Sequence, residues 1–219
     1  MTVDTFYTAE ADKDGYAIYQ HTTGYTANNT GTLMYVGKAN SKPLGETYND
    51  DYRSFVSFDT SSIPSNATIT NADVYFYYAG KAGTKAFTFL PADINYPDPE
   101  VKVSVGSDQI GDEVNGTDFY IFSGTVIQTY NRATFTGWGA TAGYKTISCT
   151  NYINKSGFTD FMIWPNEDFI KHCENASKYY YLQFQTVETA FTIKDPKLIV
   201  TYTVPEGGVI TRTLLGVGI

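Results

Sequence analysis

The rhythm of the apolar residues is what most constrains this chain. Short runs of alternating apolar and polar side chains break every few positions at Gly, Asn, Asp or Pro, and helical periodicity is nearly absent. Strands are predicted at 16–19, 33–36, 54–58, 74–78, 86–90, 101–105, 119–122, 125–130, 146–149, 161–164, 179–184 and 198–204. Asn28-Asn29, Asn49-Asp50-Asp51, Pro97-Asp98-Pro99, Asn115-Gly116 and Gly137-Trp138-Gly139 punctuate them. Composition agrees: 19 Tyr and 14 Phe raise the aromatic share to 16%, and such side chains suit a pleated, half-buried surface. Many short strands within 219 residues imply one all-β domain, a sandwich or a barrel. One segment, 165–173, has Pro165 and the acidic pair Glu167-Asp168 where a short helix would begin; a loop turn fits it equally.

Charge narrows the partners. The net charge is −8 and no run of Lys or Arg occurs, the opposite of what a phosphate-binding surface needs, so nucleic acid is not expected. No apolar stretch has the length of a membrane span, so insertion is not expected either. The first residues, Met1-Thr2-Val3-Asp4-Thr5-Phe6-Tyr7, have neither the basic nor the apolar region of a signal peptide. A protein that folds in the cytoplasm and then joins a particle has this pattern, as does one whose signal has been removed. Cys149 and Cys173 lie outside any CxxC pair and are expected as free thiols rather than a bridge.

The last fifteen positions differ from the body. Val204-Pro205-Glu206-Gly207-Gly208 breaks the final strand, and an apolar, β-prone run follows, with Val209, Ile210, Leu214, Leu215, Val217 and Ile219. It reads either as an extra strand on its own sheet or as an arm that pairs with a neighbouring subunit. The body is therefore expected at 1–204 and the extension at 205–219.

The segment Arg53-Ser54-Phe55-Val56-Ser57-Phe58-Asp59-Thr60-Ser61-Ser62-Ile63-Pro64-Ser65-Asn66-Ala67-Thr68-Ile69 and the Tyr-rich strand after it resemble the DNRLRE (disaggregatase-related) domain. The closing run Asp195-Pro196-Lys197-Leu198-Ile199-Val200-Thr201-Tyr202-Thr203 is similar to that family's last strand. The resemblance implies an antiparallel jelly-roll β-sandwich of the kind used in surface and virus-encoded proteins, often beside sugar-binding or adhesive modules, and it implies no catalytic residue. The residues of the motif suit a structural role. Phe55, Val56 and Phe58 cannot share one face of a strand, so that strand is expected to be buried on both faces or central in its sheet. Asp59 and Ser61-Ser62 can tie down the turn backbone, Pro64 fixes its φ, and Ile63 and Ile69 close one end of a core.

Candidate chemistry is sparse. His21 and His172 have no partner at metal-ligand spacing, and nucleophile elbows and phosphate loops are absent. The acid pairs Asp50-Asp51, Asp112-Glu113 and Glu167-Asp168 sit in polar, turn-like contexts and are expected on exposed loops. Asp12-Lys13-Asp14-Gly15 has the first half of a calcium loop, with Asp12 and Asp14 as ligands of a structural calcium; a plain Asp-Gly turn is the competing reading. Trp138 between glycines, Trp164, and the loop tyrosines Tyr25, Tyr48 and Tyr144 offer ring faces for a glycan, although tryptophan more often serves a core or a subunit contact. Five Asn-x-Ser/Thr sequons, at Asn28, Asn66, Asn115, Asn154 and Asn175, fit an exposed surface.

Two functional readings follow. One is a non-catalytic structural protein of a virion or similar surface assembly, working through contacts with its own copies or with other surface proteins. The other is a secreted carbohydrate-binding or adhesion module that engages cell-surface glycan. No cofactor beyond the calcium is expected, and no enzyme.

Overall fold

A computed structural model describes residues 1–8, 13–20, 23–40, 49–83, 100–110, 113–130, 142–166, 179–187 and 193–205. Among these residues twelve strands form one antiparallel sheet: β1 (Thr2–Tyr7), β2 (Asp14–Gln20), β3 (Gly24–Asn28), β4 (Leu33–Asn40), β5 (Asn49–Asp59), β6 (Thr68–Gly83), β7 (Val101–Ser107), β8 (Thr125–Tyr130), β9 (Gly143–Ser148), β10 (Phe158–Pro165), β11 (Tyr179–Gln185) and β12 (Lys197–Thr203). The pairing runs β1-β12-β6-β11-β4-β5-β10-β7-β8, with β2 and then β3 branching from β5 and β9 from β6. No helix among the described residues is long and apolar enough to cross a membrane.

The two long strands make the sheet curl. On one edge of β5 lie β4, beside positions 49–52, and β10, beside 54–59, while β2 takes the other edge. β6 repeats the scheme with β12, β11 and β9. Strands remote along the path therefore meet over one core. The Phe76 ring of β6 stands 6.0 Å from Phe161 of β10, and Phe58 of β5 stands 5.8 Å from the same ring. β12 shows the alternation that exposes one face and buries the other: Leu198, Val200 and Tyr202 point inward.

β5 is covered on both faces, as the Phe55-Val56-Phe58 spacing predicts, and β10 beside it is too. Val56, Phe58, Phe161 and Ile163 enter the main core. Phe55 and Met162 face outward into a second cluster with Ala17, and with Ile110, Val114 and Phe119 from 108–110 and 113–122, which cover this part of the sheet. The turn after β5 also forms as expected. Asp59 Oδ1 accepts from the Ser61 amide at 3.0 Å, Ile63 is buried in the core, and Ile69 packs against it. Behind this turn Thr60 and Thr159 join their hydroxyls at 2.9 Å, and the Thr60 hydroxyl also contacts the Gly157 carbonyl at 2.9 Å.

Three expectations need correction. Positions 119–122 are not a strand but lie in and just after a helical turn, α1 (Asp118–Ile121). Local polar groups decide this: the Asn115 amide donates to Asp118 Oδ2 (2.8 Å) and the Thr117 amide to Asn115 Oδ1 (2.8 Å), so side chains satisfy the backbone where a ladder would have. Asp14-Gly15 is not a turn but opens β2 opposite Val56 and Phe55. Gly15 has φ +154°, and a Cβ there would meet the Asn28 carbonyl oxygen at 2.4 Å, so only glycine fits. Pro165 ends β10 rather than starting a helix, while 167–173 lie outside the described residues. The predicted strand at 86–90 also lies outside them.

Candidate functional site

The buried acids come first, because a catalytic pair would be built from them. Asp160, wholly buried on β10, accepts from Ser57 Oγ (2.5 Å) and from the amides of Gln109 (2.5 Å) and Ile110 (3.1 Å). It therefore pins the covering segment to the sheet. Asp118, also buried, uses Oδ2 on the Asn115 amide, while its Oδ1 has no hydrogen-bond partner among the described residues. Burial pushes both carboxyls above the usual carboxylate range, against the hydrogen bonds that favour the ion.

This has a consequence for stability. An acid with a raised folded-state pKa is favoured in the fold when protonated, so its contribution is full below the ordinary carboxylate value and is lost as pH rises through the raised one. Thermal melts from pH 4 to 7 should accordingly show Asp118→Asn flattening the decline and melting above the wild type at neutral pH. A variant whose melting profile runs parallel to the wild type would show that Asp118 is not the source.

The residues nominated from sequence fall in different places. Asp14 is buried, and its Oδ2 accepts from the Val187 amide at 2.8 Å, a contact that ties β2 to the end of β11. Asp12, His21, Tyr48, Trp138, His172 and Cys173 lie outside the described residues, as do Val209, Ile210, Leu214, Leu215, Val217 and Ile219. Among the described residues no group of three or more His, Cys, Asp or Glu could hold a metal. Asp50 and Asp51 belong to β5 rather than to an exposed loop, and Asp50 is buried. Cys149 is a free, buried thiol, pushed up to about 12 by that burial and so held as an inert SH. Three sequon asparagines build turns: Asn28, Asn115 and Asn154 accept amides two residues on through Oδ1.

Tyr144 lies on β9, on the outer face of the β1-β12-β6-β9 branch. Its ring stands 5.4 Å from Tyr77 and 6.1 Å from Tyr75, and Lys197 lies over both Tyr144 (4.6 Å) and Tyr75 (5.4 Å). Lys194 covers Tyr77 at 5.2 Å, and Tyr7 stands opposite Lys197. The Tyr144 hydroxyl donates to the Ile193 carbonyl at 2.6 Å, with the Asp195 carbonyl at 3.0 Å, so this tyrosine is fixed in place. The result is an open sheet face of tyrosines alternating with lysines.

A second surface was only half visible in the sequence. Tyr19 and Tyr25 stand opposite each other on β2 and β3, their rings 5.0 Å apart. Tyr25 also meets Phe119 (5.5 Å) and Tyr120 (4.8 Å) of α1. The loop before α1 reaches them because Gly116 passes where a Cβ would stand 2.8 Å from the Tyr25 backbone. Ala17, wholly buried opposite Arg53, leaves room on the sheet for Phe119. The Arg53 guanidinium lies 4.0 Å over Phe119 and 5.7 Å over Trp164, and its Nη1 donates to the Phe119 carbonyl. Trp164 spends its indole N–H on Ser104 Oγ (2.9 Å).

No family model matches this chain, and neither does any curated protein. The two surfaces differ in what they can do. The Tyr–Lys face is broad and its Tyr144 hydroxyl is already engaged, which suits another protein surface. The Tyr25–Arg53–Trp164 surface combines exposed rings with unspent N–H donors, which suits a small polar ligand. The sequence marks Tyr25 and Trp164 as candidate ring faces; nothing local marks Arg53, Phe119 and Tyr120, which only the covering segment brings together.

Proposed function

We propose that this chain is a non-catalytic structural protein of a virion or a comparable surface assembly, acting through subunit contacts. The observation behind this reading is the outer face of β1-β12-β6-β9. Tyr7, Tyr75, Tyr77 and Tyr144 alternate there with Lys194 and Lys197, and β1 pairs only with β12 among the described residues. Tyrosine is enriched at protein contacts, and an unpaired strand edge can accept a further strand. Of the buried acids, Asp14, Asp118 and Asp160 each spend an oxygen on backbone amides, in the service of the fold.

In this reading the curled sheet is a jelly-roll body over 1–204, of the kind the Arg53–Ile69 resemblance to the DNRLRE domain implies. Residues 205–219 are the arm, with Val209, Ile210, Leu214, Leu215, Val217 and Ile219 as its contacts. The acidic remainder of a second copy complements the two lysines. Light scattering on the full chain, on a truncation ending at Glu206 and on Lys197→Glu tests the proposal. The full chain should form defined oligomers, and each variant should be a folded species of lower mass. A full chain that stays monomeric at every concentration would refute it. The carbohydrate reading rests on the other surface.

A further inference from the structure

We propose that the surface of Tyr25, Tyr120, Arg53 and Trp164 is a binding site for a neutral saccharide, with a pyranose face on the rings and hydroxyls on the guanidinium. Arg53 is the main reason. It is half-buried, its guanidinium 4.0 Å from the Phe119 ring and 5.7 Å from the Trp164 ring, and it makes a single hydrogen bond among the described residues, to the Phe119 carbonyl. A guanidinium carries five N–H donors, so most of this one is unspent. Burial lowers its pKa, the mark of a cation partly stripped of water without full compensation. Such donors are rigid, directed and ready for acceptor oxygens.

The charges around it decide what kind of ligand carries those oxygens. Asp51 supports the Arg53 cation from the same strand, and Lys102, which lies over Trp164 at 5.4 Å, pairs with Glu100 at 3.2 Å. Each cation already faces an acid, so an anionic ligand gains little net attraction and meets two carboxylates. A neutral ligand meets no such penalty. It also needs an apolar face, because Tyr25 and Tyr120 are 43% and 58% exposed with their rings 4.8 Å apart. Trp164 contributes ring surface alone, since its N–H is taken by Ser104. A pyranose combines one C–H face with a rim of hydroxyls, which matches ring platforms beside fixed donors.

This site is distinct from the Tyr–Lys face, so it stands or falls separately from the assembly proposal. The full chain should be applied to an array carrying neutral gluco-, manno-, galacto- and N-acetylglucosamine oligosaccharides beside sialylated and sulfated ones. The strongest neutral responder is then titrated against tryptophan fluorescence. Neutral oligosaccharides should bind, with affinity unchanged from low to high salt. Tyr25→Ala and Tyr120→Ala should each weaken binding roughly tenfold without moving the melting temperature, because these rings are exposed. Arg53→Lys should weaken it further while keeping the charge. If no neutral glycan binds, if only anionic glycans bind, or if the Tyr25→Ala/Tyr120→Ala double variant binds like the wild type, the proposal is wrong.

Discussion

Asp160→Ala should lower the stability of this protein by about 3 to 5 kcal/mol, since it leaves two buried donors and one part-buried donor without an acceptor, each worth about 1 to 3 kcal/mol. The donors are Ser57 Oγ and the amides of Gln109 and Ile110. In a chain of this size that loss corresponds to a fall in melting temperature of roughly 10 °C. Asp160→Asn should cost far less. Its amide oxygen can accept both backbone N–H groups, and the Ser57 hydroxyl can turn to accept from the new NH2. The contrast between the two variants separates loss of an acceptor from loss of a charge. Hydrogen exchange adds a local reading: in Asp160→Ala the Gln109 and Ile110 amides should exchange faster than those of β10, because the covering segment is released first. Equal melting temperatures for Ala and Asn would mean that the carboxylate does not anchor the segment.

The anchor also shows how far the sequence could be read. An acid between Thr159 and Phe161, inside an apolar run, signals a buried carboxylate, but its partners lie on β5 and in the segment after β7, and nothing near it in sequence names them. Strands with one buried face are legible because alternation records burial directly, and β12 falls where its pattern places it. β3 went unread because its pattern is mostly exposed, so Tyr25, Thr26 and Ala27 carry no alternation. β1 is equally exposed at the sheet edge. α1 was misread because Phe119-Tyr120-Ile121-Phe122 is β-prone, and the hydrogen bonds of Asn115 and Asp118 outweigh that preference. The same limit applies to the candidate site. Tyr25 and Trp164 were recognisable as rings, but their neighbour Arg53 became informative only when Phe119 was seen folded over it.

Phe161→Ala should cost about 3 to 5 kcal/mol, the range for removing a buried aromatic from a packed core. Its position in the topology makes the loss more than a cavity. Phe161 belongs to β10 and touches Phe58 on the neighbouring β5, but it also touches Phe76 of β6, with β11, β4 and β5 between β6 and β10 along the sheet. It therefore bridges the curl, where no backbone ladder joins the two strands. The Phe58 contact has a ladder beside it and the Phe76 contact does not, so the two should respond differently in double-mutant cycles. Phe76 and Phe161, truncated to Leu singly and together, should show a coupling of about 0.5 to 1.5 kcal/mol, the usual worth of an edge-to-face aromatic pair. If the two substitutions prove additive, the aromatic bridge contributes packing volume alone, and closure of the sheet must come from the long strands β5 and β6 that turn from one set of neighbours to the next.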